Sequence, residues 1–325
     1  MSEYPRARTS ALFAVAATLL CASATAQTYP TKPVRIIVPF AAGGPADFLM
    51  RMVGPKLSEA WGQPVIVDNR AGGNQVIGSE IVARSPPDGY TLLTTTGGAA
   101  INVTLYPKLP YDIVGDFAPI SLIAAGPNLA VIHPAVPART LPEFITYARS
   151  KPGQLVYASA GTGAPSHLAV ELFKTMAKID MVHVPYKGMA PGMVDLLGGQ
   201  VQLAFPTISA GILHARAGKL RALGVTTAKR SAAAPDVPTI AEAALPGFEA
   251  SNWYGIAAPA KTPPAVIRRI HGDIARALAM PDVRERMLNQ GMDPTSNTPE
   301  EFSAHIKAEI VKWARVVKAS GAKPE

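Results

Sequence analysis

The sequence predicts an α/β protein of two lobes joined by a hinge, and three observations support this. β-Branched runs typical of buried strands alternate with segments of helical periodicity along the chain. A unit of strand, glycine loop and helix occurs twice, first after residue 33 and again after residue 153. The length of 325 residues exceeds one ordinary core and suits two domains of ~150 residues each.

The first lobe opens with such a unit. A strand is predicted at 34–38, and the segment Pro-Phe-Ala-Ala-Gly-Gly at 39–44 ends it before a helix of regular apolar spacing at 45–61. Pro55 should kink or split that helix, because proline lacks the backbone donor that the preceding turn needs. The alternation continues with strands predicted at 64–67, 90–93 and 120–125 and a helix predicted at 75–84.

The second lobe repeats the unit, with a strand at 154–157, a glycine loop at 161–163 and a helix at 166–177. Because the chain after residue 250 offers one apolar strand and three helices, it should return to the first lobe rather than form another sheet. We therefore expect two connections that act as a hinge. The predicted domains are lobe 1 at 27–126 and 250–325 and lobe 2 at 127–249. Further strands are predicted at 129–133, 181–184, 201–205 and 221–226, with helices at 141–150, 192–197 and 208–217.

The first 26 residues predict export through a signal peptide. Arg6 and Arg8 precede an apolar run at 11–20, which is followed by an Ala-Thr-Ala cleavage site at 24–26. That run is about half of the ~20 residues that a membrane-spanning helix needs. The single cysteine, Cys21, lies within the signal, so cleavage would leave a thiol-free protein suited to the periplasm.

Charge and motifs argue against several function classes. The formal net charge of +8 favours an anionic partner, but the basic residues are dispersed without interleaved aromatics, which argues against nucleic acid. The sequence has no G-x-S-x-G, H-E-x-x-H, P-loop or complete G-x-G-x-x-G motif, so we predict no catalytic residue and no cofactor. His167 and Glu171 stand four apart on a helix, yet no third ligand accompanies them, and we predict no metal.

The two glycine loops are the candidate ligand site. Backbone N–H groups at a helix N-terminus lack partners inside the helix, and the helix dipole adds partial positive charge there, so such loops can bind anions. In open α/β sheets, ligands bind beyond the carboxyl ends of strands, where both loops should lie. The alternative is that the small residues only permit tight turns. The candidate loop residues are Phe40, Ala41, Ala42, Gly43, Gly44, Gly161, Thr162 and Gly163.

Polar side chains near the loops could complete this site. Ser159, Ser166 and His167 flank the second loop and could donate to an anion, although Ser166 could equally be an N-cap and His167 could pack in the first helical turn. Asp47 could recognise a ligand hydroxyl or amine, or it could only stabilise its helix N-terminus. The more distant candidates that shape the pocket are Asn102, Tyr186, Thr207 and Trp253.

Short motifs follow one another over nearly the whole chain after the signal. They include Tyr-Pro-x-Lys-Pro-Val-Arg-Ile-Ile-Val-Pro-Phe at 29–40, Tyr-Ala-Ser-x-Gly at 157–161, Val-Pro-Tyr-Lys-Gly at 184–188 and Asp-Leu-Leu-Gly-Gly-Gln at 195–200. Through them the chain resembles the substrate-binding proteins of tripartite tricarboxylate transporters, the Bug receptors. The resemblance implies a periplasmic-binding-protein fold of type II, the Venus flytrap, in which the two glycine loops hold a carboxylate. It also implies delivery to membrane permease subunits, which orphan receptors of this family lack.

Two departures from the family pattern concern the ligand. Where family members commonly carry Gly-Gly-Gly-Thr-Asp, this chain has Pro45 and Ala46, which removes a backbone donor and a hydroxyl. The usual acidic positions near the end of the strand at 201–205 are Gln202 and Pro206 here. Carboxylate capture should therefore be retained while specificity shifts towards a less polar or aromatic acid.

These observations predict a monomeric periplasmic receptor that binds a small carboxylate, either a di- or tricarboxylate or an aromatic acid. It would deliver this ligand to a tripartite tricarboxylate transporter without performing chemistry on it. The alternative is a receptor that reports its ligand to a membrane signalling partner. A periplasmic hydrolase is a third possibility, which the missing nucleophile elbow disfavours.

Overall fold

Strands and helices alternate along most of the chain. The computed structural model describes residues 29–324, so the predicted signal peptide and Cys21 lie outside the described residues. The strands are β1 (Val34–Val38), β2 (Val65–Asn69), β3 (Thr91–Thr96), β4 (Phe117–Gly126), β5 (Leu129–Ile132), β6 (Val156–Ser159), β7 (Val182–Pro185), β8 (Leu203–Ala204), β9 (Arg221–Val225), β10 (Asn252–Pro259) and β11 (Asp293–Pro294). The helices are α1 (Pro45–Trp61), α2 (Val76–Ala83), α3 (Gly97–Leu105), α4 (Leu141–Arg149), α5 (Pro165–Ala177), α6 (Met189–Leu197), α7 (Ile208–Arg216), α8 (Ile240–Ala243), α9 (Pro264–Ala279), α10 (Pro281–Asn289) and α11 (Pro299–Ser320).

Two sheets organise these elements into two lobes. The six-stranded sheet has the order β11-β4-β10-β3-β1-β2, and we call it and its helices lobe 1. The five-stranded sheet has the order β7-β6-β8-β5-β9, and we call it and its helices lobe 2. Each sheet contains three mutually parallel strands, β1 to β3 in lobe 1 and β6 to β8 in lobe 2. The remaining strands pair antiparallel with their neighbours.

Each parallel strand leads directly into a helix. In lobe 1 the pairs are β1 with α1, β2 with α2 and β3 with α3; in lobe 2 they are β6 with α5, β7 with α6 and β8 with α7. Because parallel strands end at the same edge of a sheet, all three helices of a lobe begin at one edge. The fold therefore consists of two sets of three strand-loop-helix units.

Helix α1 illustrates how local sequence determines where the helix of such a unit begins and ends. It begins at Pro45, where the fixed φ of proline suits the first helical position, and ends at Gly62, whose φ of 63° is left-handed. It continues through Pro55 as one helix, so the split expected at this proline does not occur. Ser58 Oγ accepts a hydrogen bond from Val65 N at 2.9 Å, which fastens the helix to the start of β2.

The chain passes between the lobes twice, and the two passages are bonded to each other. Asn128, between β4 and β5, donates its N–H to Thr226 Oγ1 at 2.8 Å and accepts from Thr226 N at 3.0 Å. Asn252, at the start of β10, donates from Nδ2 to Asn128 Oδ1 at 2.5 Å. These bonds hold the segment that leaves lobe 1 next to the segment that returns to it.

The C-terminal helix α11 extends the contact between the lobes. It packs against α3 and β4 of lobe 1 and against α5 of lobe 2. One cluster of buried apolar side chains accordingly includes Leu93 and Phe302 from lobe 1 and Phe173 and Phe205 from lobe 2. Within residues 29–324, no helix is both long and apolar enough to cross a membrane.

The packing of α11 on β10 leads to a prediction about Gly255. A Cβ atom on Gly255 would lie 2.1 Å from Cζ of Phe302, which is fully buried. Gly255→Ala should therefore lower the free energy of unfolding by about 1–3 kcal/mol, the usual effect of overpacking a core. Urea unfolding of both proteins measures this difference.

Gly272→Ala is the matched control. Gly272 lies within α9, and its added Cβ would meet only Arg276 Nη1, at 3.7 Å. The same substitution there should raise the free energy of unfolding by up to about 1 kcal/mol, because alanine favours helix. Equal stability of Gly255→Ala and the native protein would show that Phe302 yields freely, which would contradict this account of the core.

Candidate functional site

A cavity of about 520 Å³ lies between the two lobes. Lobe 1 contributes Phe40 and Gln75 to its walls, and lobe 2 contributes Ala164 and Thr207. Asn128 and Asn252, from the two passages between the lobes, line it as well. The cavity therefore lies where a change in the angle between the lobes would alter its shape.

Six helices begin at this cavity. They are the six that follow the parallel strands, and the cavity is lined by residues at or just before the first turn of each. These residues are Gly44 and Pro45 for α1, Gln75 for α2, Thr96 and Gly97 for α3, Ala164 and Pro165 for α5, Gly188 and Met189 for α6, and Thr207 for α7. Because each helix N-terminus carries partial positive charge, the walls favour an anion.

Most of these helix N-termini lack a side-chain cap. In the described chain, no N-cap side chain accepts a hydrogen bond from the first turn of α1, α5, α6 or α7. The N-cap residues of these helices are Gly44, Ala164, Gly188 and Thr207. An N-cap side chain would otherwise occupy one of the first free N–H groups. Thr96 is the exception, because its Oγ1 accepts from Gly98 N at 3.3 Å. At these four helix starts, the N-cap side chain therefore does not compete with a ligand for the first N–H groups.

The cavity walls contain no charged side chain. Among the described residues that line it, none is Lys, Arg, His, Asp or Glu. The same part of the chain has no group of three or more His, Cys, Asp and Glu side chains that could hold a metal ion. An anion in this cavity would thus be bound by backbone N–H groups, amides and hydroxyls.

Gln75 is the most unusual polar residue of the cavity. Its side chain is 2 % exposed, its Oε1 accepts from Thr96 Oγ1 at 2.9 Å, and its Nε2 has no hydrogen-bond partner among the described residues. A buried amide donor without a partner costs about 1–3 kcal/mol. A Cβ atom on Gly98 would lie 1.9 Å from this Nε2, so glycine at that position leaves room for the amide. Gln75 therefore carries a buried donor, next to the cavity wall, that no described residue satisfies.

Asn74 and Gln75 also have unusual backbone conformations. Their φ angles are 46° and 80°, in the left-handed region that non-glycine residues rarely adopt. Two bonds with Asn102 hold Asn74 in place, since Asn74 Nδ2 donates to Asn102 Oδ1 at 2.9 Å and Asn102 Nδ2 donates to Asn74 O at 2.6 Å. The fully buried Asn102 thus acts on the cavity through Asn74, which lines it.

The structure brings some of the predicted site residues to the cavity and leaves others outside its lining. An adjoining cavity of about 220 Å³ is lined by Gly43, together with Gly44 and Thr207 of the main cavity. The predicted residues that line the main cavity are Phe40, Ala41, Gly44, Ser166, Thr207 and Trp253. Those outside its lining are Ala42, Asp47, Asn102, Ser159, Gly161, Thr162, Gly163, His167 and Tyr186.

Asp47 shapes the first glycine loop from behind. Its carboxylate accepts from Gly43 N at 2.9 Å and from Arg51 Nε at 3.0 Å, and the residue is 3 % exposed. Burial works to raise the pKa of Asp47, but the hydrogen bonds from Arg51 and Gly43 hold it below its usual value. The carboxylate therefore fixes the loop conformation at neutral pH.

His167 has the same relation to the second glycine loop. Its Nδ1 accepts from Gly163 N at 3.0 Å, and its ring stacks on that of His183 with 3.9 Å between the centroids. Beside it, Ser159 Oγ bonds to His183 Nε2 at 2.7 Å and accepts from Gly161 N at 3.2 Å. These buried side chains hold the loop that leads into α5.

Ser166 lies in the lobe 2 wall, whereas Tyr186 lies outside the cavity lining. Ser166 Oγ accepts from Ala160 N at 3.1 Å, so it closes the loop instead of capping its own helix. Tyr186 donates to Asp195 Oδ2 at 2.6 Å, and burial together with this bond raises the pKa of Tyr186 to about 12. The hydroxyl of Tyr186 is thus engaged outside the cavity lining.

Sequence reasoning missed several residues that line the cavity. The Gly-Gly pair at 72–73, between β2 and α2, repeats the pattern of the other glycine loops and could have identified the segment after β2. Asn128, Asn252 and Trp313 carry no local signal, because only the topology brings them to the cavity. The missed residues are Asn74, Gln75, Asn128, Asn252 and Trp313.

Comparisons with known proteins agree with this geometry. Residues 49–322 match the family described as Tripartite tricarboxylate transporter family receptor. A solved structure of R. palustris Rpa4515 with adipate is 37% identical, with a TM-score of 0.81, and the match covers 91% of this chain and 100% of that one.

Two further solved structures are similar. The periplasmic binding protein BugD is 33% identical, with a TM-score of 0.78 and coverage of 91% of this chain and 100% of BugD. MatC from Rhodopseudomonas palustris with bound malate is 33% identical, with a TM-score of 0.77 and coverage of 89% of this chain and 100% of MatC. The two-lobed fold is therefore that of periplasmic binding proteins.

The burial of His167 predicts a pH dependence of stability. Burial, with the nearby charges of His183 and Lys174, lowers the pKa of His167 from 6.5 to about 3. The unfolded chain takes up a proton near pH 6.5 while the folded chain does not, so this group's contribution is lost as the pH falls from about 6.5 towards 3. Between pH 7 and pH 5 the loss should be about 2 kcal/mol.

His167→Asn tests this dependence, because asparagine keeps an acceptor for Gly163 N but does not titrate. Urea unfolding at pH 5, 7 and 8 should show that the variant loses about 2 kcal/mol less than the native protein between pH 7 and 5. Between pH 7 and 8 the two proteins should keep a constant difference. Parallel profiles down to pH 5 would show that His167 titrates equally in the folded and unfolded chains.

Proposed function

Because this chain belongs to the tripartite tricarboxylate transporter receptor family, we propose that it captures a small carboxylate in the cavity between its lobes and performs no chemistry on it. The observation that carries this proposal is the convergence of six helix N-termini on a cavity without charged side chains. The solved relatives with adipate and with bound malate support the choice of a carboxylate.

The magnitudes indicate how such an anion would be held. One helix N-terminus stabilises a nearby negative charge by about 0.3–1 kcal/mol, so six give about 2–6 kcal/mol. A micromolar complex requires about 8 kcal/mol. Direct hydrogen bonds must therefore supply the remainder, and bonds to a charged group contribute about 1.5–3 kcal/mol each.

The proposed donors are first-turn N–H groups of α1 and α5 and the unpartnered amide of Gln75. Of the residues predicted from the sequence, we assign ligand contact to Phe40, Ala41, Gly44, Ser166 and Thr207. The loop residues Ala42, Gly43, Gly161, Thr162 and Gly163 shape the two approaches to the ligand. Asp47, Asn102, Ser159, His167 and Tyr186 act on the ligand only through the walls that they hold.

Capture would close the lobes about the two passages that join them. We assign residues 27–126 and 250–325 to one lobe and 127–249 to the other, so that the cavity and the bonded passages lie at the same boundary. In the proposed cycle the predicted signal peptide directs the receptor to the periplasm, and the closed form delivers its carboxylate to membrane permease subunits. A monomer suffices for this cycle.

A panel of small acids tests the proposed function. Malate, adipate and benzoate are each compared with the corresponding neutral amide, so that only the charge of the head group changes. At least one acid should raise the melting temperature, because a ligand at one hundred times its Kd stabilises a protein by about 2.7 kcal/mol. The matched amides should give no shift. Equal shifts with acid and amide, or none across a broad acid panel, would exclude an anion receptor.

Gln75→Leu tests the donor that the cavity leaves unpartnered. Removing one hydrogen bond to a charged ligand should weaken binding about tenfold or more, as measured by calorimetry. Gln200→Leu makes the same change at an exposed position and should leave the affinity unchanged. Native affinity in Gln75→Leu would show that its amide does not reach the carboxylate.

A further inference from the structure

Tyr254 lies where the main cavity meets the adjoining cavity of about 220 Å³. Both cavities are lined by Gly44 and Pro45 at the start of α1, by Thr207 at the start of α7, and by Asn252 and Tyr254 of β10. We call these shared residues the junction. Tyr254 is partly exposed there, so its side chain presents surface to the cavities.

Strand β10 directs the side chain of Tyr254 away from the C-terminal helix. Successive side chains of a strand point to opposite faces of the sheet. The indole of Trp253 donates to Glu309 on α11 at 2.9 Å, so Trp253 faces that helix. Tyr254 therefore faces the other side, where its ring packs against the cluster of buried apolar residues that includes Leu49 and Met50 of α1. Lobe 1 thus supports the ring on the α1 side of the sheet.

The hydroxyl of Tyr254 has no hydrogen-bond partner among the described residues. Burial raises the pKa of Tyr254 to about 12, and neither a hydrogen bond nor a neighbouring charge contributes to this rise. Unlike Gln75 Nε2, Tyr254 Oη is not one of the enclosed polar atoms that lack a partner, so it is reached from the cavities that Tyr254 lines. Since tyrosine hydroxyls away from bulk water usually have a partner, this one indicates a ligand.

The other polar side chains of the junction are already engaged. Thr207 Oγ1 and Ser209 Oγ share a hydrogen bond at 3.3 Å. Asn252 Nδ2 donates to Asn128 Oδ1 at 2.5 Å, which ties this amide to the passage between the lobes. At the junction, Tyr254 therefore offers the side-chain donor that no described residue occupies.

The position of this hydroxyl suits an anion at the start of α1. Pro45 has no N–H, so the first position of that helix offers no backbone donor. Tyr254 lines the same two cavities as Pro45 and supplies a donor from the side. A phenol that stays neutral up to about pH 12 donates to an anion without repelling it. A hydrogen bond to a charged acceptor contributes roughly ten- to a hundredfold in affinity.

We propose that Tyr254 Oη donates a hydrogen bond to the carboxylate of the ligand at the junction, beside the start of α1. This inference rests on the proposed function, because it takes the anionic group to be a carboxylate held at helix N-termini. It assigns a further ligand-binding residue. Because the contact is to the carboxylate and not to the body of the ligand, acids of different length should depend on it alike.

Tyr254→Phe tests this contact, because it removes the hydroxyl and keeps the ring. Calorimetry compares malate, adipate and benzoate, and each acid that binds the native protein should bind the variant roughly ten- to a hundredfold more weakly. Urea unfolding without ligand should give the native stability, since the hydroxyl has no protein partner to lose.

The outcomes separate this contact from the proposed function. Native affinity of Tyr254→Phe for the acids would overturn the contact and leave a carboxylate receptor. Weakening with one acid but not with another would place the hydroxyl against the body of that acid, which would overturn the assignment to the carboxylate. No binding by the native protein across the broad acid panel would reject the proposed function, and the contact with it.

Tyr29→Phe is the matched control. Tyr29 Oη donates to Gly89 O at 2.6 Å, and Tyr29 lines neither cavity. This variant should lose stability, because a carbonyl partner is lost, but keep the native affinity for every acid. The two variants thus have opposite expected effects on stability and on binding. An equal loss of affinity in both would show that removing a tyrosine hydroxyl acts through the fold, which would refute a direct contact.

Discussion

An anion that leaves water must be compensated, and none of the described residues that line this cavity has a charged side chain with which to do it. The compensation must come from the backbone, which supplies partial charge only where helices begin. That constraint accounts for the topology. Three parallel strands in each lobe end at one sheet edge, and each passes straight into a helix, so six N-termini converge on one space. Antiparallel strands joined by hairpins would not deliver them there.

The convergence also requires the two lobes to approach closely, and glycine makes this possible at two places. A Cβ atom on Gly163 would lie 2.2 Å from Leu105 Cδ2, and one on Gly291 would lie 1.9 Å from Ile208 Cγ2, in each case across the boundary between the lobes. Both glycines have left-handed φ angles, 77° and 68°. The conformation and the contact thus exclude larger residues for separate reasons.

The sequence was sufficient for the strand-loop-helix units, because β-branched runs, glycines and helical periodicity are local signals. It predicted the two glycine loops, in or beside which Gly44 and Ser166 line the cavity, and most strands and helices in their order along the chain, but not the order of the strands within either sheet. Helix α3 escaped prediction because its glycine start, at Gly97 and Gly98, has poor helix propensity, and tertiary packing against α11 stabilises it instead.

Side-chain roles were harder to predict than loop positions. The sequence places Asn102 and His167 near the site, but it contains nothing that distinguishes a residue in the wall from one behind it. That distinction depends on rotamers and on which neighbours are in reach. The bond between Asn128 and Asn252 spans 124 positions of sequence, and the pairing of Trp253 with Glu309 spans 56, so neither has a local signature.

The proline at the start of α1 illustrates how the structure changes the meaning of a sequence feature. As a departure from the family pattern, Pro45 removes a backbone donor from the first loop. Helix α5 also begins with a proline, Pro165, so the two principal approaches to the cavity have the same construction. Each begins with a rigid first position whose N–H would have had no partner inside the helix. Pro45 therefore makes the start of α1 resemble the start of α5. The anion site loses one backbone donor, but the fixed φ of Pro45 makes the start of α1 more rigid.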